Sequence, residues 1–309
     1  MFPPSTRNNV LALTLAAACW GIGTVVSKRA IDEIQPLTLL PIQLAVSLAV
    51  LAILMRWRGL RFRDPSASPI LGRLGILNPG MAYALSLLGL VSITASLSVM
   101  IWAIEPLIIL FLAGWFLRER IGLSLVILSL VALGGLVLVI GQPAGTASLI
   151  GIVLTVAGVV CCASYTVITR RWLMTSYSTT QVIVVQQAHA ILFALALVVV
   201  VWVVGGTPWP DHVTAAGWAS AIVSGVMYYA LAYWFYLTGL RHVPASLAAV
   251  SFYLIPIFGV AAASLLLGER LDATQWVGIA VVLGAVLLIT RRTSATESVL
   301  DRPTVSARA

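Results

Sequence analysis

An acidic residue inside an apolar stretch is the first feature of this sequence that could do chemistry. Glu105 lies within the run 95–117, and Pro106 follows it directly. An ionised carboxylate in hydrocarbon is unfavourable by about 3 kcal/mol or more, so it must face a cavity or a polar partner. Pro106 removes one helical hydrogen bond and leaves backbone carbonyls open to a ligand or to water. Glu105 is therefore a candidate amine or proton site; the alternative is a protonated side chain hydrogen-bonded to a neighbouring helix.

Aromatic side chains that carry a polar group accompany this carboxylate. Trp102 and Ser98 precede it by three and seven residues and would share its helical face. Other candidates, suited to amphipathic or cationic ligands by stacking and cation–π contact, are Trp20, Tyr83, Tyr165, Tyr229 and Tyr233. The alternative for such residues is a belt at the membrane interface. From their predicted depth in the membrane, near the ends of the spans, we assign this role to Tyr236, Trp57, Trp115, Trp172, Trp202 and Trp209.

Other polar residues also lie in apolar stretches. Asn78-Pro79 interrupts another stretch and could line the same space as Glu105. Three polar residues further along are interpreted as hydrogen-bond partners between helices rather than ligands: Gln186, Gln187 and His189.

Composition identifies the solvent around the chain. Of its 309 residues, 61% are hydrophobic and 9% are charged, whereas about a quarter of the residues of a soluble domain are charged. We therefore expect lipid to surround the chain, and its net charge of +8 then indicates loop charge that orients a membrane protein rather than a nucleic-acid surface. The three cysteines form no CxxC pair and are interpreted as small apolar packing residues: Cys19, Cys161 and Cys162.

Ten apolar segments are each close to the roughly 20 residues that a helix needs to cross a bilayer. They lie at 10–28, 36–55, 74–93, 95–117, 121–141, 149–169, 182–204, 213–238, 243–268 and 273–290. The first is not interpreted as a cleaved signal peptide, because it is long and another span begins at Pro36. Residues 1–9 form a short N-terminus, and the polar tail 291–309 is expected to be disordered.

Loop charge orients these spans. With the N-terminus inside, all 18 lysines and arginines fall on the cytoplasmic side except Lys28, Arg29 and Arg270. Cytoplasmic loops carry an excess of basic residues. Both termini are therefore expected in the cytoplasm of a multi-pass protein of the cell membrane.

The sequence contains an internal duplication. CWGIGTVVSKR at 19–29 returns as CCASYTVITRR at 161–171, and residues 89–140 align without gaps with 239–290 at an offset of 150. Within the second alignment Pro106 matches Pro256, and Glu119-Arg120 matches Glu269-Arg270. Chance similarity between two apolar stretches is the alternative, and the matching glycines, proline and Glu-Arg turn argue against it.

Each copy has an odd number of spans, so the second copy must be inverted in the membrane. The predicted fold is an all-α integral membrane protein of ten transmembrane helices, arranged as two inverted-topology five-helix repeats, 10–141 and 149–290. Inverted repeats place a site near the membrane midplane and let it open to either side.

These motifs resemble a known family. Trp20-Gly21 followed by Lys28, the Ala-Ser-Leu entry to the spans of Pro106 and Pro256, and the Gly-Glu-Arg turn at 268–270 are similar to the drug/metabolite transporter superfamily, in its ten-helix EamA-type branch. The resemblance covers about residues 10 to 290 and is specific for the fold rather than the substrate. The sixth span has Cys162 where the first has Trp20, which makes the expected cavity asymmetric.

The resemblance also implies residues that open or close the site. Lys28 and Arg170 resemble positions that meet anionic substrates or close a gate; the alternative is a side chain that anchors its helix at the interface. Pro106 and Pro256 are the expected helix breaks. Glu119 and its repeat counterpart are expected to form structural pairs at turns, with gating as the alternative.

The predicted function is secondary active transport by alternating access. The substrate would be a small amphipathic, amino-acid-like metabolite, carried outward, with protons as a second candidate ligand of Glu105. The alternative is a membrane receptor or regulatory subunit that binds a ligand without moving it. No HExxH, GxSxG or Walker A motif is present, so an enzyme, a cofactor and direct use of ATP are not expected. The sequence does not decide between a monomer and a homodimer, because glycine-rich spans such as 131–141 could pack within one chain or between two.

Overall fold

A computed structural model of the chain describes residues 4–57, 59, 69–90, 101–140, 148–173, 178–206, 212–267 and 273–300. These residues form helices and turns, and no strand occurs among them. In chain order the helices are α1 (Pro4–Ile31), α2 (Pro36–Trp57), α3 (Pro69–Gly75, Ile76–Met81 and Ala82–Leu90), α4 (Glu105–Phe116), α5 (Leu123–Ile140), α6 (Leu149–Leu173), α7 (Thr179–Val203), α8 (Ala215–Ser224, Gly225–Leu231 and Ala232–Leu240), α9 (Ala245–Ala249, Val250–Leu254 and Ile255–Leu267) and α10 (Ala273–Leu300).

Several helices are suited to a bilayer. By length and composition, five are long and apolar enough to cross one: Asn8–Ile31, Pro36–Trp57, Leu149–Arg171, Thr179–Val203 and Ala215–Leu240. Shorter apolar helices accompany them at Glu105–Phe116, Leu123–Leu138, Ala245–Gly259 and Ala273–Ile289. The all-helical membrane class is therefore confirmed, and ten crossings remain a prediction.

Capping residues fix where two of the helices begin. Ser178 accepts a hydrogen bond from the amide of Gln181 (3.3 Å), and the Gln181 side chain accepts one from the amide of Ser178 (3.0 Å) at the start of α7. Thr214 accepts from the amide of Gly217 (3.1 Å) at the start of α8. Both caps satisfy amides that the first helical turn leaves without partners.

The two halves pack mainly against each other, and their contacts come in matched pairs. Helix α1 packs on α8 and α9, and its repeat counterpart α6 packs on α3 and α4. Helices α2 and α7 pack together, as do α5 and α10, and each of these pairs joins a helix to its own counterpart. This is the pattern of a two-fold pseudo-symmetric bundle whose halves are interleaved.

Two glycines show the same symmetry at atomic detail. The backbone of Gly75 in α3 meets the backbone of Gln186 in α7 so closely that a Cβ atom would collide with it. The counterpart of Gly75, Gly225 in α8, meets Gln43 in α2, and a Cβ there would lie 2.9 Å from the Gln43 carbonyl oxygen. Glycine is needed at both positions because only a hydrogen atom fits between these backbones.

Helix directions establish the inversion. The start of α1 lies beside the end of α8, where Gly239 contacts Leu13, and the end of α1 lies at the start of α8, where Glu33 binds Thr214. Helix α6 instead runs parallel to α8, since Arg170 near its end binds the backbone of Arg241. Equivalent helices of the two repeats, α1 and α6, therefore point in opposite directions.

Helix α10 extends beyond the last predicted span, which ends at residue 290. It continues through residues 291–300 to Leu300, and the disorder of the tail 291–309 stays a prediction. That stretch contains neither glycine nor proline, and Ala, Arg and Glu favour continued helix. The rest of the predicted tail, 301–309, lies outside the described residues.

Candidate functional site

Aromatic rings from both halves meet in the interior between α1, α3, α6, α8 and α9. We call them the aromatic cluster: Trp20, Tyr83, Trp102, Tyr165, Tyr228, Tyr229, Tyr233, Tyr236 and Phe252. The structure brings together all six aromatic residues that the sequence predicts for the site. Their role in binding stays a prediction.

Trp20 lies at one end of the aromatic cluster. Its ring meets those of Tyr233, Tyr236 and Phe252 edge to face, with centroids 5.6, 5.3 and 5.6 Å apart. The side chain is buried, and its Nε1 has no hydrogen-bond partner among the described residues. Trp20 therefore brings an unused N–H donor into the interior.

Tyr83 joins the opposite end of the aromatic cluster to its centre. It stacks on Trp102 at 6.0 Å and meets Tyr229 at 5.9 Å, and Tyr229 in turn stacks on Tyr233 at 6.3 Å. The Tyr233 hydroxyl is buried and has no hydrogen-bond partner among the described residues. Tyr83 and Trp102 are only partly buried, so this end keeps accessible surface.

Wide helical turns explain why α8 gives so many rings to one space. Gly225–Leu231 is a π-helical segment, whereas its counterpart in α3, Ile76–Met81, is kinked at Asn78, where the backbone is extended (φ −151°, ψ 125°) and the Asn78–Pro79 peptide is cis. The wider turn lets the adjacent Tyr228 and Tyr229 face the same neighbour, Tyr83. A regular helix would direct adjacent side chains about 100° apart, so sequence reasoning missed Tyr228.

Glu105 lies beside the aromatic cluster at a break in the helix. Residues 103–104 form a turn, and α4 begins at Glu105 with Pro106 in its first turn. At the equivalent point of α9 the segment Val250–Leu254 leads directly into the helix Ile255–Leu267, which begins one residue before Pro256. Proline is accommodated there because the first turn needs no amide donor.

The carboxyl group of Glu105 is buried and incompletely satisfied. Its side chain is 6% exposed, and Oε1 has no hydrogen-bond partner among the described residues. Helix α4, which begins at Glu105, packs against α6. The described part of the interior thus contains an unused acceptor at Glu105 and an unused donor at Trp20.

Two glutamines hold the helices around this space. The Tyr165 hydroxyl donates to Gln186 Oε1 at 2.8 Å, and Gln187 Nε2 donates to the Tyr229 carbonyl at 2.8 Å. The prediction that these glutamines link helices is confirmed. His189 differs, because its Nδ1 lies 2.9 Å from the Val185 oxygen of its own helix.

The predicted gating residues differ in what the structure shows. Arg170 donates to the Arg241 carbonyl at 3.0 Å, at the end of α8 that lies opposite to Glu33. Glu119 accepts from the amides of Ala245 (2.8 Å) and Ser246 (3.1 Å) at the start of α9, which confirms a structural role. The side chain of Lys28, and the residues Ser98 and Glu269, lie outside the described part.

The predicted interfacial belt is partly wrong. Trp57, Trp115 and Trp202 are exposed on the helix surface as predicted, but Tyr236 is buried. Its ring packs on Phe252 at 5.0 Å, and its hydroxyl donates to Thr166 at 3.4 Å. Tyr236 lies near the end of its span but faces α1 and α6. The side chain of Trp172 and residue Trp209 lie outside the described residues.

No group of three or more His, Cys, Asp or Glu side chains that could hold a metal ion occurs in the part of the chain that the structure describes.

An interleaved pair of inverted helical repeats around a partly polar interior defines the class: a multi-pass membrane transporter. The family follows from the sequence profile of the EamA-like transporter family, which matches residues 8–141 and again 149–291. Because the two matches together span most of the chain, the protein belongs to this family.

Relatives agree with this assignment. An uncharacterized transporter of Archaeoglobus fulgidus is 24% identical over 294 residues, which cover 91% of this chain and 98% of that protein. Protein PecM of Dickeya dadantii is 22% identical over 216 residues, covering 70% and 71%. A solved crystal structure, 18% identical, matches with a TM-score of 0.78 over 93% of this chain and 99% of the other; at that identity the likeness concerns the fold alone.

Proposed function

We propose that this transporter exports a small, amphipathic, zwitterionic metabolite of the amino-acid type by alternating access. Glu105 binds the ammonium group or the coupled proton. Trp20 Nε1 donates to the carboxylate, and the rings between them hold the apolar part.

The observation that carries this proposal is the pair of unused polar atoms. A buried acceptor and a buried donor left without partners are each unfavourable by about 1–3 kcal/mol. An ammonium group complements Glu105 Oε1, and a carboxylate complements Trp20 Nε1. On the Trp20 side, the rings of Tyr233 and Tyr236 lie 5.6 and 5.3 Å from the Trp20 ring and offer apolar surface.

The arrangement of the halves supports alternating access. Helices that contribute to the aromatic cluster pack across the two halves, with α1 against α8 and α6 against α3. Inverted repeats have two related conformations that exchange the roles of the halves. Movement of one half against the other would then expose the aromatic cluster first to one side and then to the other.

Counterflow in proteoliposomes tests the proposal. Purified protein is reconstituted, the vesicles are loaded with an unlabelled neutral amino acid, and uptake of the same labelled amino acid is followed over a panel of aliphatic and aromatic members. We expect trans-stimulated uptake of at least one member, absent from empty liposomes. Ligand-induced thermal stabilisation without trans-stimulated uptake would instead indicate a receptor.

The direction of transport needs a cellular measurement. Cells that overproduce the protein should accumulate the same amino acid in the medium faster than cells that produce the Glu105→Gln variant at equal membrane levels. Faster uptake from the medium would contradict export.

A further inference from the structure

The turn that ends α4 contains a residue in a backbone conformation that it does not favour. Arg118 has a φ of 54°, in the left-handed region, and the amide of the next residue, Glu119, donates to the Ala113 carbonyl at 3.2 Å. Many helices end on a left-handed residue, but it is usually glycine, because a Cβ atom is unfavourable there. In the sequence, the repeat counterpart of Arg118 is Gly268. An arginine where the other copy has the residue that fits indicates that the arginine side chain is needed.

The helix surface before this turn also differs between the two copies. Three exposed rings lie there: Phe111, Trp115 and Phe116. The Trp115 ring lies 6.3 Å from that of Phe111 and 4.7 Å from that of Phe116, measured between centroids. Contact with lipid tails requires only apolar side chains, and the counterparts of these rings in the second copy are Ala261, Leu265 and Leu266. The rings and Arg118 are therefore features of the first copy alone.

The turn lies against the end of α4 and exposes two positive charges. Ile121 folds back on the helix, because a Cβ atom added to Gly114 would lie 3.2 Å from its Cγ1 atom. Arg118 and Arg120 are both exposed. The acidic residue between them, Glu119, instead accepts hydrogen bonds from amides at the start of α9. The outer surface of the turn is therefore basic, and it directly follows the exposed rings.

This combination of groups complements an anionic phospholipid. A guanidinium group binds a phosphate through two parallel hydrogen bonds, and tryptophan rings are enriched at the level of lipid headgroups. The acyl chains would lie on apolar side chains that are exposed beside the turn, in α4 and at the start of α5: Phe111, Leu123 and Ile127. Loop charge predicts that this turn faces the cytoplasm, and the cytoplasmic leaflet carries the negative surface charge of a cell membrane.

We propose that the turn 118–120 and the rings at the end of α4 form a binding site for one anionic phospholipid, with its phosphate held by Arg118 and Arg120. The site lies on the exposed face of α4, whereas the aromatic cluster lies in the interior. The proposal therefore does not depend on which substrate the protein carries or on whether Glu105 binds it.

Replacing Arg118 by Gly separates the side chain from the backbone. Glycine adopts a positive φ without strain, so the full-length variant in detergent should unfold at a higher temperature than the wild type. Native mass spectrometry measures lipid binding. The wild type should bind dioleoyl-phosphatidylglycerol about tenfold more tightly than dioleoyl-phosphatidylcholine, and Arg118→Gly should bind the phosphatidylglycerol about fivefold more weakly than the wild type does.

Arg73→Gln is the matched control, because it removes an exposed arginine of α3 on the same predicted side and should leave lipid binding unchanged. The proposal is overturned if Arg118→Gly binds phosphatidylglycerol like the wild type, or if the wild type does not distinguish the two lipids. It is also overturned if Arg73→Gln loses as much affinity as Arg118→Gly, since overall charge and not this turn would then attract the lipid.

Quenching of Trp115 locates the lipid while both arginines are kept. The protein is placed in phosphatidylcholine nanodiscs that contain a small fraction of brominated phosphatidylglycerol, and the signal of Trp115 is the difference in fluorescence between the wild type and Trp115→Phe. This signal should be quenched more strongly than by the same fraction of brominated phosphatidylcholine. Equal quenching by the two lipids would contradict the proposal. A dimeric mass with no quenching by either lipid would also contradict it and would assign this face to a second copy of the chain.

Discussion

Glu119 accepts a hydrogen bond of 2.8 Å from the backbone amide of Ala245, so a residue that follows α4 caps the first turn of α9. The bond crosses from one repeat to the other. A carboxylate at a helix N-terminus also interacts favourably with the helix dipole. This pair ties α9, which contributes Phe252 to the aromatic cluster, to the end of α4, which begins at Glu105.

Replacing Glu119 by Ala should lower stability by about 1–2 kcal/mol, because the first turn of α9 loses its cap. Thermal unfolding in detergent measures the effect, with Arg120→Ala as the control at a neighbouring exposed position. Equal midpoints for the two variants would show that the cap contributes nothing to stability.

Glu33 should make stability depend on pH in the acid range. Hydrogen bonds from the backbone amide and the hydroxyl of Thr214, together with the charge of His212, hold the pKa of Glu33 below its ordinary value. A carboxyl group with a lowered pKa in the folded protein stabilises it above the unfolded-state pKa, and this stabilisation is lost as the pH falls through the folded-state pKa. The melting temperature of Glu33→Gln should therefore fall less steeply with acid than that of the wild type. Asp32→Asn is the control, and parallel curves for Glu33→Gln and wild type would contradict the prediction.

Replacing Glu105 by Gln should reduce the flux driven by a pH gradient at least about tenfold, while membrane insertion stays intact. The amide keeps the shape of the side chain but neither carries a charge nor exchanges a proton. Uptake into proteoliposomes with an imposed pH gradient measures the loss, and Glu33→Gln, far from the aromatic cluster, serves as the matched control. Unchanged dependence on the gradient would remove Glu105 from coupling.

Replacing Trp20 by Phe should weaken binding of an amino acid about tenfold, because the ring remains but the Nε1 donor is lost. The corresponding amine, which lacks the carboxylate, should bind equally well to both proteins. Counterflow competition with the two compounds measures the difference, and the exposed Trp115→Phe controls for the general effect of the substitution. Equal losses for amine and amino acid would place Trp20 in packing alone.

Replacing Gly75 or Gly225 by Ala should destabilise the protein by about 2–3 kcal/mol in each case, because the added methyl group meets the backbone of the opposite half. Gly134→Ala is the control, since a Cβ there meets nothing within 4 Å. Unfolding in denaturant compares the three. If only one of the first two variants is destabilised, the two helix crossings are not equivalent.

Much of the fold could be predicted because a helix that crosses lipid needs about 20 consecutive, mostly apolar residues. Apolar length indicated the helices, and Pro106 and Pro256 lie in the first turns of the helical segments Glu105–Phe116 and Ile255–Leu267. The duplication predicted an inverted second half, and α1 and α6 do run in opposite directions.

The orientation of individual side chains was harder to predict. Tyr236 was assigned to the interface because depth along a span says nothing of which side faces a neighbour, and it is buried against Trp20. Tyr228 was missed because its position depends on a wide turn, and no residue pattern in one sequence indicates where such a turn forms. The exchange of Trp20 for Cys162 between the repeats already indicated in the sequence where the two halves differ.

The pairing of each helix with a partner from the other half has a consequence for synthesis. Helix α1 packs against α8 and α9, so the first repeat leaves the ribosome long before the surfaces that cover it exist. Until the second repeat has been made, the first repeat stays in the bilayer as separate helices, and Glu105 stays there without the helices that later pack around it. The two halves made as separate polypeptides in one cell should therefore assemble, while either half alone should be degraded.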